Sequence, residues 1–271
     1  MTRFLVVPQW QGSSSSRAMR LVDGAEAIAG DLPRSATVRL DIPLEAGDAL
    51  GSDVHRLSAL HRVRGLVEEA IRDGDGPAVV IGGDCGVALG AVAAVAGDDL
   101  AVVWLDAHAD AHNPETSASG AFHGMVLRSI LGDGPDGMTI DAGIVPPDRV
   151  VLAGARSLDL EEELYVTGSE IRMLSSTDLG DHEALADAVV ATGASRVYVH
   201  VDLDVLDPAE ITGIGYPEPF GVTTADLVAS IRALRARVPL AGASLTEFAP
   251  SSPEAAVDDL GTILRIVGAL A

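Results

Sequence analysis

Short runs of apolar residues alternate along this chain with longer stretches whose apolar positions recur every three or four residues. The short runs fall at residues 4–8, 36–40, 78–81, 100–105, 149–152, 171–174, 196–201 and 240–245. Most are apolar at every position, which predicts strands covered on both faces. Helical periodicity is clearest at 54–72, 183–191, 224–236 and 253–269. Thr223 or Thr224 is placed to cap the third of these, and Pro253 suits the first turn of the fourth. Such alternation predicts a mostly parallel sheet of about eight strands joined by helical crossovers. A sheet of that size either closes into a barrel or stays open as a three-layer sandwich, and periodicity does not choose between them. No linker is long enough to divide the chain, so 1–271 reads as a single domain. Residues 12–17, with four consecutive serines, read as a flexible surface connection.

Composition narrows this picture. Apolar residues make up 48% of the chain but aromatics only 3%, so the core must be built from Ala, Val, Leu and Ile. The formal net charge of -22 argues against binding nucleic acid or docking on an anionic membrane. A negative field favours a small cationic partner, or serves solubility alone. One cysteine, Cys85, rules out an intramolecular disulfide. The amino-terminal residues lack the pattern of a signal peptide, and no apolar run is long enough to span a bilayer. A cytoplasmic protein is expected.

The chemistry lies in segments that each follow a predicted strand, where ligand sites of parallel sheets form. After 100–105 comes Asp106-Ala-His108-Ala-Asp110-Ala-His112. Alternate residues of an extended run point to one side, so Asp106, His108 and Asp110 can face one point. Carboxylates with an imidazole suit a divalent ion such as Mn²⁺. After 196–201 comes Asp202-Leu-Asp204-Val-Leu-Asp207-Pro208; Asp202 and Asp204 share a face, and Asp207 reads as a turn former. Asp106, Asp110, Asp202 and Asp204 crowded at one edge would repel without cations, and two divalent ions balance them. After 240–245 comes Glu247, in Glu-Phe-Ala-Pro, a carboxylate able to grip a planar cation. His123 precedes a helical stretch and suits acid–base or proton-carrying work.

Taken in order, Gly82-Gly83-Asp84-Cys85, the DAHAD from Asp106, the SGAFHG from Ser119, the DLDVLDP from Asp202 and the EFAP from Glu247 resemble the signatures of the arginase/agmatinase/formiminoglutamase (ureohydrolase) family. The resemblance spans roughly residues 78–260. It implies an open α/β/α sandwich and a C–N hydrolase acting on a guanidino or related amidine compound. It implies two Mn²⁺ ions, with Asp106 and Asp202 bridging, His108 and Asp204 completing one ion, and Asp110 and position 85 the other. A metal-activated hydroxide would attack the guanidinium carbon, Glu247 would hold the guanidinium group, and His123 would serve the departing amine. A homotrimer or homohexamer is implied as well.

Two departures from the family pattern matter. Cys85 stands where the family has a histidine ligand. It either ligates a softer metal such as Zn²⁺, leaves a single ion held, or packs as a small buried residue. The substrate side differs too. His112 replaces the Asn that contacts the carboxylate of arginine, Ser117 stands where Thr is usual, Ser119 is retained, and Asp159 matches the carboxylate that receives the substrate amine. This argues against L-arginine and leaves agmatine, guanidino acids and formiminoglutamate. A catalytically weakened binding protein is the alternative of a different class.

Overall fold

A computed structural model describes residues 2–271; Met1 lies outside the described residues. The eight strands of the described residues are β1 (Arg3–Val7), β2 (Thr37–Arg39), β3 (Ala78–Gly82), β4 (Leu100–Leu105), β5 (Val150–Ala153), β6 (Arg172–Leu174), β7 (Arg196–Asp202) and β8 (Leu240–Thr246). They form one sheet in the order β2-β1-β3-β8-β7-β4-β5-β6, and every pair is parallel. The edge strands β2 and β6 do not meet, so the sheet is open, as the family resemblance implies and periodicity left undecided. Central strands β3 and β4 are buried at every position, whereas β2 and β6 have three residues each and no buried one. Short exposed edges limit pairing with other chains.

Among the described residues, eight helices cover the two faces. They are α1 (Arg20–Gly30), α2 (Leu57–Arg72), α3 (Val87–Val95), α4 (Val126–Ile130), α5 (Leu160–Gly168), α6 (Ala184–Val190), α7 (Thr224–Arg237) and α8 (Pro253–Leu270). Residues of α1, α6, α7 and α8 pack with one sheet face, and those of α2, α3, α4 and α5 with the other. Alternating strand residues divide between the two cores, so Val103 and Leu105 face one and Val102 and Trp104 the other.

The helices missed by periodicity have physical reasons. α3 reads VALGAVAAV, apolar all round and wholly enclosed in its first two turns, so it has no stripe to recognise. α5 is announced by a capping box: Asp159 accepts from the Glu162 N–H while Glu162 reaches back to the Asp159 N–H. The expected helix at 54–72 starts later, because Arg56 adopts a left-handed backbone (φ 58°). Thr223 caps α7 by accepting from the Asp226 N–H, and Ser252 precedes Pro253 at the start of α8. No helix of the described residues is long and apolar enough to cross a membrane.

Candidate functional site

The four central strands, β3, β8, β7 and β4, end side by side, and their carboxyl ends deliver the polar residues. β4 hands over to Asp106, which is wholly buried; its Oδ1 accepts the His108 N–H at 2.7 Å and its Oδ2 the Trp104 indole N–H at 3.0 Å. β7 hands over to Asp202 and Asp204. Asp202 Oδ1 accepts the Asp204 N–H at 2.9 Å, and Asp204 Oδ1 accepts the Ala107 N–H at 3.0 Å, which ties the two segments together. The His108 ring closes the corner: its Nδ1 lies 3.0 Å from Asp204 and 3.4 Å from Asp106. Donor atoms of Asp106, His108 and Asp204 thus fit around one ion.

The second group centres on Cys85, in the turn after β3. Its thiol donates to Asp202 Oδ2 at 3.1 Å, and its backbone N–H to Glu247 Oε1 at 3.3 Å. Cys85, Asp202 and Glu247 form a second cluster of ligand spacing. Asp110 is buried, and its Oδ2 has no hydrogen-bond partner. Asp110 (φ 50°) and Glu247 (φ 66°) both hold left-handed backbones, an uncommon conformation for such residues that collects where function over-determines the chain.

Electrostatics follows from this crowding. Burial, then the neighbouring acid, pushes the carboxyls of Asp106 (beside Asp204), Asp110 (beside Asp106) and Asp202 (beside Asp204) upward. Burial, then Asp202, pushes the Cys85 thiol up. Burial opposes charge on His108, but Asp106 and Asp204 outweigh it and hold the ring protonated up to about 12. A cation would balance these carboxylates. Buried carboxylates with an oxygen unpaired are the donor set of hard divalent ions, and the residues present fit such a centre. Ions there would compete with a proton on His108 for the same carboxylates.

A cavity of about 200 Å³ opens over these groups. Its walls include His108, Asp110, His112, His123, Asp202, Asp204 and Glu247, joined by Ser14, Glu162 and Tyr216. His123 Nδ1 lies 3.4 Å from Glu247 Oε1; burial disfavours its charge, but the Glu247 pair more than offsets this and raises its pKa. His112 Nε2 pairs with Asp159 at 3.2 Å beside Glu162. Ser117 and Ser119 do not line this cavity; their hydroxyls accept the N–H groups of Gly120 and Ala121 and shape the turn before His123. Asp207 shapes a turn, as expected, by accepting from Ala209 and Gly221.

Several contributors escaped sequence reasoning. Asp84 is a buried pin that accepts from Gln9, Gly12 and Gly86 and fixes the Cys85 turn to the loop after β1. Residues 12–17, expected as a mere connection, bring Ser14 to the cavity and to the Tyr216 hydroxyl at 3.0 Å. Arg156 donates to the carbonyls of Gly154, Asp204, Val205, Leu206, Glu218 and Pro219, fastening the loop after β7. Only the Gly82-Gly83-Asp84 run carried a readable signal.

A family profile described as the Arginase family matches residues 16–262. An arginase of Bacillus caldovelox is 34% identical over 205 residues, covering 72% of this chain and 67% of that protein. An arginase of Bacillus subtilis strain 168 is 36% identical over 155 residues, covering 54% and 52%. The solved structure of an Entamoeba histolytica arginase, in complex with L-ornithine, has a TM-score of 0.86 at 22% identity, over 99% of this chain and 97% of that one. The native structure of the Bacillus caldovelox arginase has a TM-score of 0.80 at 26% identity, over 98% of each chain.

Proposed function

The chain belongs to the arginase family, and from that membership we propose that it is a metal-dependent hydrolase cleaving a C–N bond of a guanidino or related amidine compound other than L-arginine. The observation that carries this is the convergence of Glu247 and His123 on one cavity wall above the Asp106, His108 and Asp204 cluster. The metal, Mn²⁺ by family resemblance, supplies an acidified water nucleophile when bound. Asp106, His108, Asp202 and Asp204 would hold one ion, and Asp110 would contribute to a second. Glu247 accepts two N–H groups of a planar guanidinium or amidinium and sets its carbon over the cluster. His123, whose charged form Glu247 favours, delivers a proton to the departing amine. The summed negative charge of the chain draws a cationic substrate inward.

The substrate reading rests on the outer wall. The curated relatives named above are arginases. Here His112, paired with Asp159, stands at the rim where an amide would meet the carboxylate of arginine. An imidazole held by a carboxylate suits a substrate lacking that α-carboxylate pattern, such as agmatine, or one with a differently placed acid, such as a guanidino acid or formiminoglutamate. The protein works as a homo-oligomer in this reading. The test is a panel of these compounds and L-arginine with metal-saturated protein, scored for urea, ammonia and formamide. Release from an amidine or guanidino compound in preference to L-arginine is expected. Preferred turnover of L-arginine would overturn the substrate reading. No product from any compound would leave the binding-protein alternative, which Cys85 favours.

A further inference from the structure

The Asp110 side of the cluster has carboxylates and a thiol, but the segments legible in the sequence bring it no ring nitrogen. The structure brings one from beneath. His200 lies on β7 two residues before Asp202, on the same face of the strand. Its ring is wholly buried, and Nε2 has no hydrogen-bond partner. A buried ring nitrogen left unpaired is rare and calls for an explanation. Its other nitrogen, Nδ1, lies 2.7 Å from the Ser244 hydroxyl on β8. A metal-bound imidazole is typically held this way, with the second ring N–H given to an oxygen that fixes tautomer and orientation.

Two more observations place the ring at the cluster. A ring nitrogen of His200, the Cys85 sulfur and an Asp106 oxygen lie within 4.8 Å of one another. An ion bonded at about 2.0–2.3 Å to each of three donors requires separations of this order. The ring is also locked by stacking on Trp104, centroids 3.7 Å apart and planes 19° from parallel, while Trp104 donates to Asp106. Trp104 and His200 are direct neighbours in the β4–β7 ladder, so the stack and the cluster share one frame.

We infer that His200, through Nε2, is the imidazole ligand of the metal ion on the Asp110 side of this centre, with Ser244 and Trp104 as its positioning residues. The imidazole donor enters from the sheet rather than from the turn that carries Cys85. Cys85 then need not ionise, and no further negative charge joins the site.

This rests on the reading of the site as a metal centre, and direct metal binding separates the two. Mn²⁺ stoichiometry and affinity are measured by equilibrium dialysis, and bound imidazoles are counted by pulsed electron paramagnetic resonance. Native protein is expected to bind two ions with two imidazole nitrogens, from His108 and His200. His200→Phe keeps a flat ring on Trp104 and removes the nitrogen. It should keep one ion at native affinity, weaken the other at least about tenfold, and lose one imidazole signal. Cys85→His in the His200→Phe background should restore the second ion. If His200→Phe does not fold, Ser244→Ala must weaken the same ion about 10–100-fold and spare the other. Two ions at native affinity and an unchanged imidazole count in His200→Phe, or an unaffected Ser244→Ala, would overturn the assignment. Native protein binding no divalent ion would overturn the metal centre itself.

Discussion

Glu247 combines three properties: it is buried, its backbone is left-handed, and it holds His123 and the Cys85 N–H. A residue so constrained is shaped for one task, and the charge is the part a cationic substrate needs. Glu247→Gln is isosteric and should lower kcat/KM at least about a hundredfold, roughly 3 kcal/mol, with metal content retained. Steady-state kinetics beside metal analysis checks this; unchanged kcat/KM would remove Glu247 from substrate binding. At this scale the sequence was legible where chemistry imposes a local pattern. Asp106, His108 and Asp110 alternate on a strand exit, and so do Asp202 and Asp204. His200 was not legible, because in Arg-Val-Tyr-Val-His-Val-Asp it is one histidine inside an apolar strand. Its significance comes only from the neighbours β3, β4 and β8 bring.

Elements position these residues through tight turns, among them the turn after β3. A side chain at Gly83 would collide with the Gln9 carbonyl, and one at Gly86 with the Gln9 amide and Asp84. Asp84 in turn pins this turn to Gly12. Gly83→Ala should therefore cost roughly 1–3 kcal/mol by overpacking, and metal affinity should fall with it. Thr223→Ala, which removes the cap of α7 far along the chain, should cost about 1 kcal/mol and leave metal affinity unchanged. Urea unfolding with metal titration distinguishes them; equal effects on metal binding would mean that the β3 turn does not position the site. The central strands were readable because burial on both faces leaves apolar runs. Helix α3 was not, because enclosure on all sides erases the stripe that marks a surface helix.

For the whole molecule, the site concentrates negative charge in a protein already carrying -22, and this couples stability to pH and to metal. Burial, then Glu247, raises Asp84 to about 6, and burial and neighbouring acids raise Asp106, Asp110 and Asp202 as well. An acid whose folded pKa exceeds its unfolded value near 3.9 binds protons more tightly when folded, so it strengthens the fold as pH drops through that interval. His108, raised to about 12 despite burial by Asp106 and Asp204, acts in the same sense: its contribution is full below about 6.5 and fades as pH climbs. Asp99 works the other way. The hydrogen bonds from Arg196 hold it at about 2, so its contribution is lost only below about 4. Metal-free protein should therefore be most stable near pH 4–6 and lose melting temperature toward pH 8. Divalent ions supply at high pH the positive charge that protons supply at low pH. Mn²⁺ should then raise the melting temperature more at pH 8 than at pH 5.5, where ions must displace protons. Calorimetry of metal-free and Mn²⁺-loaded protein at the two pH values measures this. A metal-free melting temperature that falls from pH 8 to pH 5.5, or equal stabilisation by Mn²⁺ at both, would show that the buried acids do not govern the stability of the fold.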